Sequence, residues 1–184
     1  MAPLATSITD PLVELMASRP EVVDDYLELR ATLEGMAASL AATRANDVDR
    51  ATLTRCMERI HQAHAEADFR EEAEADVDLH VAVYEASHNI VLLQIMRALS
   101  GMLRKGVFHN REKLYARPEV RDVLRAQHRA IHDAIMARDA PAAARAAQDH
   151  MIYTKRVRAE IIAAEARLEI SLRRIEGGSL TSRN

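Results

Sequence analysis

A chain of 184 residues, 48% of them hydrophobic, is long enough for one domain with a real core and too apolar to be disordered. Its net charge of −3 leaves no electrostatic footprint for nucleic acid, and the single Cys56 excludes a disulfide framework or a multi-cysteine zinc site. Five Gly, five Pro and no Trp point to long helices joined by short loops rather than to a sheet.

In chain order, the first 20 residues hold Pro, Ser and Thr with little periodicity and read as a linker with a short helical turn. They lack the basic and apolar regions of a signal peptide, and no later apolar run approaches the roughly 18–20 residues of a membrane span. The expectation is a soluble, cytoplasmic protein with no membrane partner. From Val22 to about Arg44, "VVDDYLELRATLEGMAASLAATR" predicts a first helix whose apolar side is marked by Leu27, Leu33, Met36 and Leu40. After the break "ANDVDR", a second helix runs from about Val48 to Ala67 with Leu53, Met57, Ile60 and His64 at helical spacing.

A third segment follows "ADFREE", and "SHN" ends it. Its residues Ala75, Val77, Leu79, Val81 and Val83 alternate as in a half-buried strand, but the acidic, Ala-rich lead-in and the lack of turn signals favour helix. The distinction carries chemistry. On a helix Asp76 and His80 are i, i+4 neighbours at roughly 6 Å. On a strand they would stand roughly 13 Å apart and could not share an ion. "IVLLQIMRALSGMLRKGVFHNREKLY" reads as a fourth, long helix kinked at Gly101 or Gly106. Arg117-Pro118 stops it and opens a fifth, to about Ala137, and Asp139-Ala140-Pro141 opens a sixth that passes Ile161 toward Ile175. "GGSLTSRN" is a frayed tail. The predicted fold is all-α, an antiparallel bundle of about six to seven helices.

Eight histidines punctuate these helices, at 61, 64, 80, 88, 109, 128, 132 and 150. His61 and His109 lie beside charged or polar residues and read as solvated; His64 reads as half-buried. Three occupy inward stripes: His80 with Asp76, Leu79, Val83 and Ser87; His128 with Val120, Leu124, Ile131 and Ile135; His150 with Ala143, Ala147, Thr154, Val157 and Ile161. One such residue alone is an ordinary hydrogen-bonded core histidine. Four buried polar groups from three helices would cost roughly 1–3 kcal/mol each if unpartnered, and a shared divalent ion satisfies them together. Imidazole and carboxylate suit Zn, Ni, Mn or Fe(II). His132 and His88 are rivals for the same role.

The motifs also resemble a known family. "DVDLHVAVYEASHNIVLLQIMRAL" resembles the D-x-x-[FL]-H…A-S-x-N segment of the ligand-binding FCD domain of FadR-type GntR transcription regulators. "DYLELRATLEGMAASLAA" is similar to that domain's first helix, and "QHRAIHDAIMARDAPAAARAAQDHM" to its closing pattern. The resemblance covers about Pro11 to Arg158 and implies an all-α bundle that dimerises and holds a divalent metal, zinc first, on Asp76, His80, His128 and His150. "ASHNIVLLQIMR" and the tail "SLRRIE" are most similar to regulators answering to lactate, glycolate or pyruvate, L-lactate first. On this reading residues 21–166 form the effector-binding and dimerisation domain, 1–20 a linker, and 167–184 a helical extension and tail. The family's winged-helix DNA-binding domain, through which DNA would be reached, is expected to be absent from this chain.

Arg30 is the candidate to pair with an effector carboxylate by a bidentate fork, against a surface salt bridge to Glu28 or Glu34. Asn89 either donates to the ligand or caps a helix. The implied activity is sensing, not catalysis. Two alternatives stand beside it. One is a di-iron carboxylate enzyme built on Glu58–His61 and Glu85–His88, two E-x-x-H units that sit off their apolar stripes. The other is a dimerisation bundle with a purely structural metal.

Overall fold

Every element among the residues described by the computed structural model (11, 12, 14–16, 18, 19, 21–102 and 110–178) is helical. Helix α1 spans Glu21–Arg44, α2 Asp47–Ala65, α3 Phe69–Ala86, α4 Ile90–Met102, α5 Asn110–Tyr115, α6 Pro118–Met136 and α7 Ala140–Gly178. Among these residues no helix is long and apolar enough to cross a membrane. The segment that alternates like a strand is the interior of α3, so Asp76 and His80 do share a helix face. The expected long fourth helix is described as α4 and α5, and Gly106, like His109, lies outside the described residues. The frayed tail from 179 onward also lies outside them.

Local chemistry sets the helix boundaries. The Asn46 side chain accepts from the backbone of Val48 and Asp49 while Asp49 accepts from Asn46 N, a reciprocal cap on α2. Asp68 caps α3, Asn89 Oδ1 accepts from Leu92 N at the start of α4, and Asp139 Oδ1 accepts from Ala142 N at the start of α7. Pro118 sits in the first turn of α6, where its missing N–H costs nothing. Three of the connections share one form. Ala67, His88 and Arg138 each take positive φ, of 55°, 50° and 59°, directly before the capping Asp68, Asn89 and Asp139. A left-handed residue with a Cβ is strained, and glycine is not. Ala67→Gly should therefore stabilise the chain by about 0.5–1 kcal/mol, read from chemical denaturation.

The longest interface lies between α1 and α7, with α2 on α3 and α6 on α7 next. Here the expected face of α1 is corrected. Leu27 is buried, but Met36 is 49% exposed and Leu33 and Leu40 are only partly covered. The fully buried residues are the small ones, Ala37, Ala38, Ala41 and Ala42, which let the helix approach its neighbours closely. Gly35 belongs to the same contact, because a Cβ there would stand 2.7 Å from Gln148 Cγ on α7.

Buried apolar side chains form two clusters. The larger includes Leu79 and Val83 of α3, Ile131 and Ile135 of α6, and Ala143, Ala147 and Met151 of α7. The smaller includes Ala73 of α3, Val120 and Leu124 of α6, and Val157 and Ile161 of α7. On α6 the buried His128 separates the two clusters, and on α3 and α7 the buried Asp76 and His150 lie near the boundary between them. The sequence stripes are thus apolar, polar, apolar, and the polar layer lies at one level of the bundle.

Candidate metal centre

Helical spacing places Asp76 and His80 one turn apart on α3, while His128 arrives from the middle of α6 and His150 from the first third of α7. All four are buried, and one ligand atom from each lies within 4.8 Å of the other three. Asp76 Oδ1 is 2.9 Å from His128 Nε2 and 3.2 Å from His80 Nε2. The three imidazoles crowd together, with centroids 5.6, 5.1 and 4.5 Å apart.

The outer edges of the rings favour this convergence. His80 Nδ1 donates to Glu34 Oε2 at 3.0 Å, because a carboxylate can only accept. His150 Nδ1 lies 3.2 Å from Gln127 Oε1 and donates to it. Both rings therefore keep Nε2 as the inward nitrogen, an arrangement that fixes the tautomer of a metal-binding histidine. His128 is fully buried, and among the described residues neither of its ring nitrogens makes a hydrogen bond. Its Nε2 approaches the Asp76 carboxylate without the alignment of a donor bond. Ligand atoms that face one another this closely in the interior are what a common central cation would organise. Three imidazoles and one carboxylate also match the hard-to-borderline divalent ions.

Behind His80 stands a further charged pair. Glu34 is 1% exposed and Arg30 is 5% exposed, and Arg30 donates to Glu34 Oε1 at 2.5 Å. Burial disfavours the Glu34 carboxylate, but His80 and Arg30 together hold its pKa down to about 2. For His80, burial works against the imidazolium, yet the charge of Glu34 and hydrogen bonds to Asp76 and Glu34 push the pKa up to about 9. His150 moves the other way, well below the usual histidine value, through burial first and then the neighbouring His128 and His80.

A proton balance follows from these shifts. With no ion present, His80 is an imidazolium at pH 7.5, and an ion must displace that proton to reach Nε2. Uptake of Zn²⁺ at pH 7.5 should release about one proton through His80, with affinity rising about tenfold per pH unit until near pH 9. The stability of the ion-free chain runs in the opposite sense. The His80 contribution is complete below the unfolded value of about 6.5 and is lost as pH rises through about 9. Calorimetric titration in two buffers of different ionisation enthalpy measures the proton count directly.

The other sequence candidates fall elsewhere. Asn89 has its side-chain oxygen occupied in capping α4. His132 lies against Thr54 and Asp133, and exposed His88 pairs with Asp49 at 2.7 Å, so neither rival joins the cluster. The two E-x-x-H units do not converge. Glu58 is exposed, Glu85 pairs with Arg97, and half-buried His61 lies 2.7 Å from Arg129. Arg30 does take Glu34 as its partner, but in the interior and not on the surface.

Two features went unread in the sequence. The burial of Glu34 against His80 is one. The other is Glu72, wholly buried one turn before Asp76 on α3, where Arg121 of α6 reaches it at 2.5 Å and His64 Nδ1 of α2 at 2.9 Å. Its position four residues before Asp76 extends the same stripe, and that was the signal available.

With this geometry in view, comparison with known proteins gives a consistent result. The model of the FCD domain matches residues 25–152. The "Glc operon transcriptional activator" of Escherichia coli (strain K12) is 36% identical over 151 residues, which cover 80% of this chain and 59% of that protein. The "Putative L-lactate dehydrogenase operon regulatory protein" of the same organism is 40% identical over 147 residues, covering 80% and 55%. The chain thus spans less than two thirds of the length of these relatives. Among solved structures, E. coli McbR/YncC superposes with a TM-score of 0.65 at 20% identity, covering 76% of this chain and 69% of that one, which speaks for the fold alone. These relatives are regulators of transcription, not enzymes.

Proposed function

The chain belongs to the FCD-domain family of GntR-type transcription regulators, and on that premise we propose that it senses a small 2-hydroxy or 2-oxo carboxylate at a divalent ion. The ion would be held by Asp76, His80, His128 and His150, with zinc first and nickel, manganese or iron as the other fits. The observation that carries this reading is the convergence of those four buried donors from three helices. L-lactate is the first effector candidate, then glycolate and pyruvate, in keeping with the lactate and Glc operon names of the relatives.

An ion held by these four residues would supply Lewis-acid attraction for a carboxylate and the oxygen on its neighbouring carbon. Protein groups do the rest. His80 and His150 keep their outer protons on Glu34 and Gln127 and present Nε2 inward. Arg30 is buried with one NH2 on Glu34, while its Nε makes no hydrogen bond among the described residues, a donor suited to an anionic effector. Asn89 is retained as a second candidate contact through its amide, since only its oxygen is engaged. The apolar clusters on either side exclude water and strengthen these interactions.

In a homodimer, an effector that binds one arrangement of the two bundles better than another shifts their relative orientation, and DNA-binding domains joined to residue 21 through the linker would follow. Residues 21–166 would form the sensing and dimerising unit. The test is a thermal-shift screen of L-lactate, glycolate and pyruvate at millimolar concentration, before and after chelation and re-addition of Zn²⁺. Stabilisation that depends on the ion supports the sensor. An ion that stabilises the chain with no response to any acid would instead make the metal structural.

A further inference from the structure

The Arg30–Glu34–His80 chain has a chemical role that sequence spacing did not suggest. Glu34 is 1% exposed and uses one oxygen for Arg30 and the other for His80 Nδ1. We propose that Glu34 is a positioning residue of the ion centre, fixing the ring and tautomer of His80 and joining Arg30 to the ion through one carboxylate. This rests on the ion site proposed above.

The argument is geometric. His80 and Asp76 share helix α3, whereas Glu34 stands on α1, a helix that supplies no donor to the cluster. The bond from Nδ1 stops rotation of the imidazole about its own axis and leaves Nε2 as its free donor atom. A carboxylate acceptor also makes the ring a stronger electron donor than a neutral acceptor would. Arg30 moderates this effect because it shares the same carboxylate. Anything that draws Arg30 away leaves more of Glu34's charge on His80. An anion that engages Arg30 and an ion that engages His80 are therefore linked through Glu34, and linkage of this kind is reciprocal.

Co²⁺ is the probe, because its d–d absorption reports ligand geometry whether or not the protein is functioning as a regulator. Full-length chains carrying Glu34→Gln or Arg30→Gln are titrated with Co²⁺ beside the unsubstituted protein, with far-UV circular dichroism as the check on folding. Glu34→Gln should weaken Co²⁺ binding by about 10–100-fold and shift the d–d bands. Arg30→Gln breaks the same buried pair but leaves the bond to His80, so it should change affinity by less than about tenfold. Equal losses in the two variants would reduce Glu34 to half of a structural salt bridge and overturn the proposal. So would wild-type affinity and bands in Glu34→Gln. If Glu34→Gln fails to fold, the neutral double variant R30Q/E34Q takes its place with the same expected loss, and wild-type binding by it overturns the proposal. Failure of the unsubstituted protein to bind Co²⁺ would instead refute the ion site itself.

Discussion

His128→Leu should have opposite consequences with and without a divalent ion. With excess Zn²⁺ the variant would lose one of the four proposed donors, and its affinity should fall by more than the roughly 100-fold that marks the upper end for an outer partner. With the ion chelated, the same change should leave stability unchanged or raise it. The His128 ring is fully buried, and neither nitrogen makes a hydrogen bond among the described residues. Each buried donor or acceptor left unmade costs roughly 1–3 kcal/mol, and leucine has neither. His150→Leu is the control, since it removes a hydrogen bond to Gln127 and should be the costlier change in chelator. Thermal unfolding in EDTA and in Zn²⁺, with metal content measured after desalting, gives both arms. Equal destabilisation of His128→Leu in the two conditions would mean that the ring is ordinary core.

Arg121→Met should cost about 3–5 kcal/mol in urea denaturation, the range for stranding one member of a buried ion pair. Glu72 is inaccessible to solvent, and Arg121 is 7% exposed. The arginine donates to Glu72 Oε2 and to the backbone oxygen of His64, and its guanidinium lies 5.5 Å over the Phe69 ring. One side chain thus ties the start of α6 to the start of α3 and the end of α2. Removing the arginine leaves Glu72 with His64 alone. Replacing both, as Glu72→Met with Arg121→Met, should recover most of the loss, because no buried charge is stranded. A double variant as unstable as the single one would show that the arginine acts through packing and not through its charge.

The legibility of the sequence differed from helix to helix. On α3, α6 and α7 one face is apolar and one is wet, so periodicity alone brought Asp76, His80, His128 and His150 to the interior. Helix α1 has neighbours on several sides: it packs on α7, α3 and α6. A helix enclosed in that way has no single stripe, and beyond Gly35 its buried residues are alanines that carry little pattern. That is why Met36 was placed inward and is exposed, and why a pairing of Arg30 with Glu34 was expected only at the surface. Glu72 was missed for another reason. A glutamate in the first turn of a helix is ordinary capping chemistry, and only the arrival of Arg121, 49 residues later, makes it an interior residue. Long-range partners of charged residues leave no local trace.

The turn between α6 and α7 occupies only Ala137, Arg138 and Asp139, so the helices bearing His128 and His150 form a single hairpin. Asp76 and His80 ride together on α3, which is a separate beam. Of the distances that define the cluster, Asp76 to His80 belongs to one helix and would barely respond to a shift of that helix against the hairpin. Every distance between α3 and the hairpin would change at once. If the four residues hold an ion as proposed, donors split two and two across this joint would behave as a caliper: whatever filled the centre would set the gap, and the gap the angle at which α7 leaves the bundle. That helix runs on to Gly178 beyond Ile161, the last residue described as buried, and a small change at the joint would be magnified along that lever arm.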